Sequence, residues 1–231
     1  MGYTFWQWLL HSDGGLMLRV GIGVAILSTL AIVDVRRHGP AARRWREYLF
    51  LLAAAGVAMV YGVANDQITV SISWEYFYYG KGIEQVLGAA VPPPMAGLRW
   101  EAAKIGLKAA WSVGLAAGVV LLLANNPSRR WRQLPMKTLY RLLAVILIGP
   151  VLGAIAGGVL GRMGVVAHLS ADLADLVRLN LWRPRSFLCV SGIHLGAYAG
   201  GIVATLLAAA WIVKRRSRLV ANRGNLQTHS P

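Results

Sequence analysis

Charge is scarce in this chain of 231 residues. Charged side chains make up 14% of it, against about 25% in an ordinary soluble domain. Asp and Glu together number only 9. That scarcity, set against 56% hydrophobic residues, excludes a disordered chain and argues against a water-soluble globular domain. Cysteine is scarcer still. The single Cys189 lies inside an apolar run, so no intrachain disulfide exists, and the residue reads as a small packed hydrophobe. Without a CxxC pair or a Cys/His cluster, no metal site and no cofactor are expected. The chain also lacks a P-loop, a GxSxG elbow, an HExxH helix and a dinucleotide fingerprint between strand and helix.

What remains is an apolar, basic chain, with mean hydropathy +0.52 and formal net charge +15. A basic balance points to nucleic acid only where the charges form a patch on a soluble face. Here Lys and Arg punctuate apolar runs, so the expected partner is the lipid bilayer, not nucleic acid. Five runs match the about 20 apolar residues that a spanning helix needs. They cover roughly 16–34, 48–65, 105–124, 138–160 and 187–213. The expected fold is therefore all-α: a polytopic bundle of five transmembrane helices forming one membrane domain over 1–231. The N-terminus lacks the basic region and cleavage site of a signal peptide, so the first run is read as a retained span.

Loop charge sets orientation. Of the 24 Lys and Arg, 15 fall after the first and third runs or in the tail. They include Arg36, Arg37, Arg43, Arg44 and Arg46, then Arg129, Arg130, Arg132, Lys137 and Arg141, then Lys214, Arg215, Arg216, Arg218 and Arg223. The alternate segments 66–104 and 161–186 carry 7. This predicts an N-terminus outside, a cytoplasmic C-terminus and a small extracytoplasmic cap built from 66–104 and 161–186. Trp6, Trp8, Trp74, Trp100 and Trp182 on one side, and Trp45, Trp131 and Trp211 on the other, fall near run ends, where indole prefers to sit. The basic clusters themselves read as topology signals that touch anionic headgroups.

Glycines repeat every fourth residue in the fourth run, at Gly149, Gly153, Gly157 and Gly161, and in the fifth, at Gly192, Gly196 and Gly200. In lipid, helices are held by close backbone approach. The two stripes predict that these spans form the tightest pair, with self-association as the alternative use. Pro150 is expected to kink the fourth span.

Two cap segments have patterns of their own. Ile68, Val70, Ile72 and Trp74 alternate with Thr69, Ser71 and Ser73, which reads as extended chain. Ser73 is then placed to cap a short helix over 74–79 with Glu75 in its first turn. Gly80, Gly82 and Pro92–Pro94 predict broken helix and loop over 80–98. Residues 170–182 read as an amphipathic surface helix capped by Ser170, with Asp172 in its first turn.

Ionisable groups at membrane depth are costly and mark candidate function. Arg19, Asp66, Lys108 and His194 all fall in the outer half of the threading, with Glu75 on the adjoining segment, whereas Asp34 sits beside Arg36 and Arg37 at the inner end, where a local ion pair with them is expected. One reading brings Asp66, Glu75, Arg19, Lys108 and His194 into an outward polar pocket where opposite charges offset each other's desolvation. His194 is then a candidate proton carrier or sensor, with Tyr198 one turn on as its partner. The other reading has Arg19 and Lys108 snorkelling to headgroups, Asp66 ending a helix and His194 bonding a neighbouring span.

The run Asp66-Gln67-Ile68-Thr69 followed by Glu75-Tyr76-Phe77 resembles a segment, D-Q-[VI]-[ST]…E-Y-F, of a family of bacterial integral membrane proteins of uncharacterised activity. His194, Leu195, Gly196, Ala197 and Tyr198 are similar to a later span motif of the same family. The likeness covers roughly 55–213. Asn65 stands where the family often carries His, so no metal assignment follows. The resemblance implies no activity, and it singles out Asp66, Gln67, Glu75, Tyr76, His194 and Tyr198. The leading expectation is a non-enzymatic protein of the bacterial cytoplasmic (inner) membrane. It would present an outer polar site to a ligand, proton or partner protein, as an accessory or sensor subunit. The alternatives are a small transporter or channel subunit, and a membrane enzyme acting on lipid or envelope precursors. A membrane-protein partner or a homo-oligomer is the further partner considered.

Overall fold

The computed structural model describes residues 5, 12–88, 91–126, 132–168 and 181–227. Every regular element among them is helical: α1 (Asp13–His38), α2 (Trp45–Ile72), α3 (Trp74–Tyr78), α4 (Glu84–Leu87), α5 (Met95–Ala124), α6 (Met136–Ile146), α7 (Ile148–Arg162) and α8 (Pro184–Gln227), with short 3-10 turns at Gly39–Ala41 and Val165–His168. Five stretches are long and apolar enough to cross a membrane: Asp13–Ala41, Trp45–Ile72, Met95–Ala124, Met136–Arg162 and Pro184–Leu219. The chain thus has the architecture of a multi-pass membrane protein. Apolar residues such as Ile26 and Ile32 on α1, Leu152 and Ile155 on α7, and Ile202 and Leu206 on α8 are exposed, as lipid-facing positions must be.

Three sequence expectations need correction. Residues 66–72 are not extended, because α2 runs on to Ile72. The polar half of the apparent alternation is satisfied inside the helix: Thr69 Oγ1 donates to the Asn65 carbonyl at 2.8 Å, and Ser71 Oγ to that of Gln67 at 3.1 Å. A helix bonds all its own backbone groups, which a lone extended segment at membrane depth cannot do. Next, α5 begins at Met95, after Pro94, so Arg99, Glu101 and Lys104 lie on the helix and not in a loop. Last, Asp34 is not held by Arg36 and Arg37. Its carboxylate accepts from the Trp45 amide at 3.0 Å and faces His38 Nδ1 at 3.0 Å, closing the turn into α2.

Other expectations hold. Ser73 caps α3, its Oγ accepting from the Tyr76 amide at 3.3 Å. The fourth run breaks at Leu147 into α6 and α7, where Pro150 has no N–H to offer the Ile146 carbonyl. The helix expected over 170–182 lies, through residue 180, outside the described residues.

Two helix pairs make the bundle. The tighter is α7 with α8. A Cβ on Gly149, Gly153 or Gly157 would collide with the carbonyl oxygen of Gly200, Gly196 or Gly192 respectively, and the reverse substitutions collide in the same way. Backbone here touches backbone, as the two stripes require. The second pair is α2 with α5, where Gly62 and Gly106 abut each other and Gly114 abuts Ala54 and Ala58. The pairs meet at both ends. One junction packs Val70, Phe77, Leu98, Phe187 and Val190 around α3. The other packs Phe50, Leu121, Leu139, Ile146 and Ile212. Helix α1 lies against α2. At the second junction the buried Arg216 donates to the carbonyls of Ala124, Asn126 and Arg132 at 2.5, 2.5 and 3.0 Å, tying α8 to the end of α5. Asn125 closes the same loop through the amide and carbonyl of Leu134.

Candidate functional site

Between the two pairs a cavity of about 150 Å³ remains open. Helix geometry explains which side chains line it. On α8, Gly192, Gly196 and Gly200 face α7, which turns His194, Ala197, Tyr198, Gly201 and Thr205 toward the cavity. On α2, Ala54, Ala58, Tyr61, Asn65 and Asp66 face it, and α5 contributes Gly106, Ala110, Val113 and Ala117. Small residues on three walls are what leave the space. Its polar groups gather at the α3 end, and the opposite end is apolar apart from Thr205.

At the polar end Asp66 Oδ1 lies 3.8 Å from His194 Nε2, and Asp66 also accepts from Asn65 Nδ2 at 3.4 Å. His194 Nε2 is 3.5 Å from Thr69 Oγ1. Because the Thr69 hydroxyl spends its proton on Asn65, both neighbours of Nε2 are acceptors, which suits the tautomer with the proton on Nε2. The His194 ring stacks on Tyr76, with centroids 5.0 Å apart and planes 10° apart, and meets Phe77 edge-on. Lys81 Nζ sits 5.3 Å over the other partner of that stack, the Tyr76 ring.

Burial pushes the Tyr76 phenol up from its ordinary value, and the Asp66 carboxylate pushes it further. Lys81 keeps some exposed surface, yet the protein crowded around it lowers its pKa, with Asp66 pulling the other way. The site therefore combines a cation, a carboxylate, an imidazole and phenols. It can bind or relay a proton and can pair with a polar group carrying charge. Among the described residues no group of three or more His, Cys, Asp or Glu is placed to hold a metal ion.

The structure brings together Asp66, His194, Tyr76 and Tyr198 of the residues expected from sequence. It does not bring the others. Glu75 is buried, but its two oxygens accept from the amides of Trp182 and Arg183 at 2.6 and 3.0 Å, holding the start of α8. Gln67 Nε2 donates to the Arg99 carbonyl at 2.9 Å, joining α2 to α5. Arg19 Nε bonds the Gly15 carbonyl at 3.3 Å on α1. Lys108 pairs with Asp13, which Lys104 also meets at 2.6 Å, so this cation secures α1 to α5. The five-group convergence is thus corrected to a smaller set. Carboxylates closer to the cations in the fold took them: Asp13 for Lys108, with helix-end amides taking Glu75.

Lys81, Tyr61, Asn65 and Thr69 were missed. Reading 66–72 as helix would have placed Thr69 on the same face as Tyr61 and Asn65, since the three recur every fourth residue. Comparison with protein-family models, curated proteins and solved structures returned no match.

Proposed function

We propose that this is a five-span protein of the bacterial cytoplasmic membrane with its N-terminus outside and its C-terminus in the cytoplasm. In this reading it presents an outward polar site to a ligand or proton as an accessory or sensor subunit, alone or beside a membrane-protein partner. The orientation is supported by the basic clusters, since Arg43, Arg46 and Arg132 share one surface pocket at the end of the bundle away from Asp66. The likeness of Asp66–Thr69, Glu75–Phe77 and His194–Tyr198 to the D-Q-[VI]-[ST]…E-Y-F family belongs to the same proposal. The observation that carries the function is the Asp66–His194 pair, buried at 3.8 Å where the cavity also meets Lys81. Helix packing alone gives no reason to keep a carboxylate and an imidazole together at that depth. Behind it stand the small transporter or channel subunit and then the membrane enzyme, of which the apolar continuation of the same cavity favours the enzyme.

Two measurements test this. Lys81→Cys in a Cys189→Ser background should react with a membrane-impermeant maleimide added outside intact cells; labelling only after lysis overturns the orientation. Asp66→Asn combined with His194→Gln, at normal membrane levels and normal melting, should fail to restore whatever phenotype follows deletion of the protein. Full restoration overturns the site.

A further inference from the structure

The cavity does not end at its polar groups. From Asp66 to Ala54 along α2 the lining extends over twelve residue steps, about 18 Å at 1.5 Å per residue, and from His194 to Thr205 along α8 about 16 Å. The hydrocarbon depth of one leaflet is about 15 Å, half of a roughly 30 Å core. The slot is therefore one leaflet deep, with charge at its head and alanine, glycine and valine below. It also opens at the side, because Val113 and Tyr198 both line it and are each 45% exposed. Its volume, about 150 Å³, leaves room for part of one unbranched chain.

Resting on the outward polar site proposed above, we propose that its ligand is an amphiphile with a zwitterionic headgroup, such as phosphatidylethanolamine. One hydrocarbon tail lies in the slot between the α2–α5 and α7–α8 pairs. The head carries one cation, Lys81, and one carboxylate, Asp66, close enough to act on each other. A phosphate facing Lys81 and an ammonium facing Asp66 answer both charges at once, whereas a purely anionic or purely cationic headgroup leaves one opposed.

The test uses the whole protein reconstituted in vesicles containing phosphatidylethanolamine with a diazirine in one acyl chain, with phosphatidylglycerol carrying the same tail as the comparison. After illumination, adducts are mapped by peptide mass spectrometry. The expected result is adducts on Ala110, Val113 and Tyr198 with the ethanolamine lipid. Gly201→Leu should abolish them, since Gly201 lines the slot and has nothing within 4 Å of a Cβ. Gly56→Leu, equally uncrowded and away from the slot, should leave them unchanged and control for folding. Adducts confined to outward positions such as Leu152 and Ile155, or cleft adducts that survive Gly201→Leu, overturn the tail slot. Equal cleft labelling by both lipids, or labelling indifferent to Lys81→Met and Asp66→Asn, overturns the headgroup assignment. Failure here with outward maleimide labelling and failed restoration intact rejects the ligand class and leaves the outward site standing.

Discussion

Asp66 on α2 and His194 on α8 face each other at 3.8 Å, and their side chains are 4% and 13% exposed. The two belong to different helix pairs, so their contact spans the slot. A double-mutant cycle with Asp66→Asn and His194→Gln should give a coupling energy of about 1 kcal/mol or more, since touching buried groups couple and distant ones add. The readout is thermal unfolding in detergent with a thiol-reactive dye on Cys189, the sole cysteine. Additivity within about 0.5 kcal/mol would show that the pair does not interact.

The α7–α8 seam makes a sharper prediction. Gly157→Val should destabilise the protein by at least about 2 kcal/mol, because a side chain there strikes the Gly192 carbonyl and the helices must separate. Gly56→Ala, where a Cβ meets nothing within 4 Å, should be neutral or stabilising by up to about 1 kcal/mol. Equal melting of the two variants would refute the packing.

Glu75 should matter for folding and not for labelling by an acyl probe. Its two oxygens accept amides at the mouth of α8, and hydrogen bonds to a charged acceptor contribute about 1.5–3 kcal/mol each. Glu75→Ala should lower stability by about 3 kcal/mol. Glu75→Gln, with one acceptor oxygen left, should fall between it and the native protein. The same dye-based melts decide it, and a Gln variant as unstable as Ala would assign the effect to charge alone.

Two groups near the slot's head give opposite responses to pH. The Tyr76 phenol is raised above its ordinary 10.0, so the folded state holds a proton that the unfolded chain releases, and stability falls as pH climbs past 10.0. Lys81 is lowered below its ordinary 10.5, so the unfolded chain binds the extra proton and stability rises with pH up to 10.5. Tyr76→Phe should flatten the alkaline loss, and Lys81→Met the preceding rise. Absorbance of phenolate just above pH 10.0 should be the same with and without Tyr76. A drop on Tyr76→Phe would mean that the ring ionises like an exposed tyrosine.

The helices were legible in the sequence because hydrophobicity and glycine spacing act locally. Five apolar runs sufficed for five spans, and stripes at Gly149–Gly161 and Gly192–Gly200 were enough to pair α7 with α8. Failure came where two periods competed. Ile68, Val70 and Ile72 alternate like a strand, but the hydroxyls of Thr69 and Ser71 turn back onto the helix. The site was legible only in part for a different reason. Depth along a span tells which charges share a level, not which share a face. Asp66 and His194 met, while Lys108, at a similar level, found Asp13 on α1, a residue that the spacing of neither span reveals.

The seam of bare backbone along α7 and α8 also constrains how the molecule can move. With carbonyls set against glycines there are no rotamers to re-sort, so these helices travel as one plate. Gly62 and Gly106 bind α2 and α5 into a second. Any gating of the space between is then a rocking of two stiff bodies about the aromatic and leucine-rich fulcra at either end.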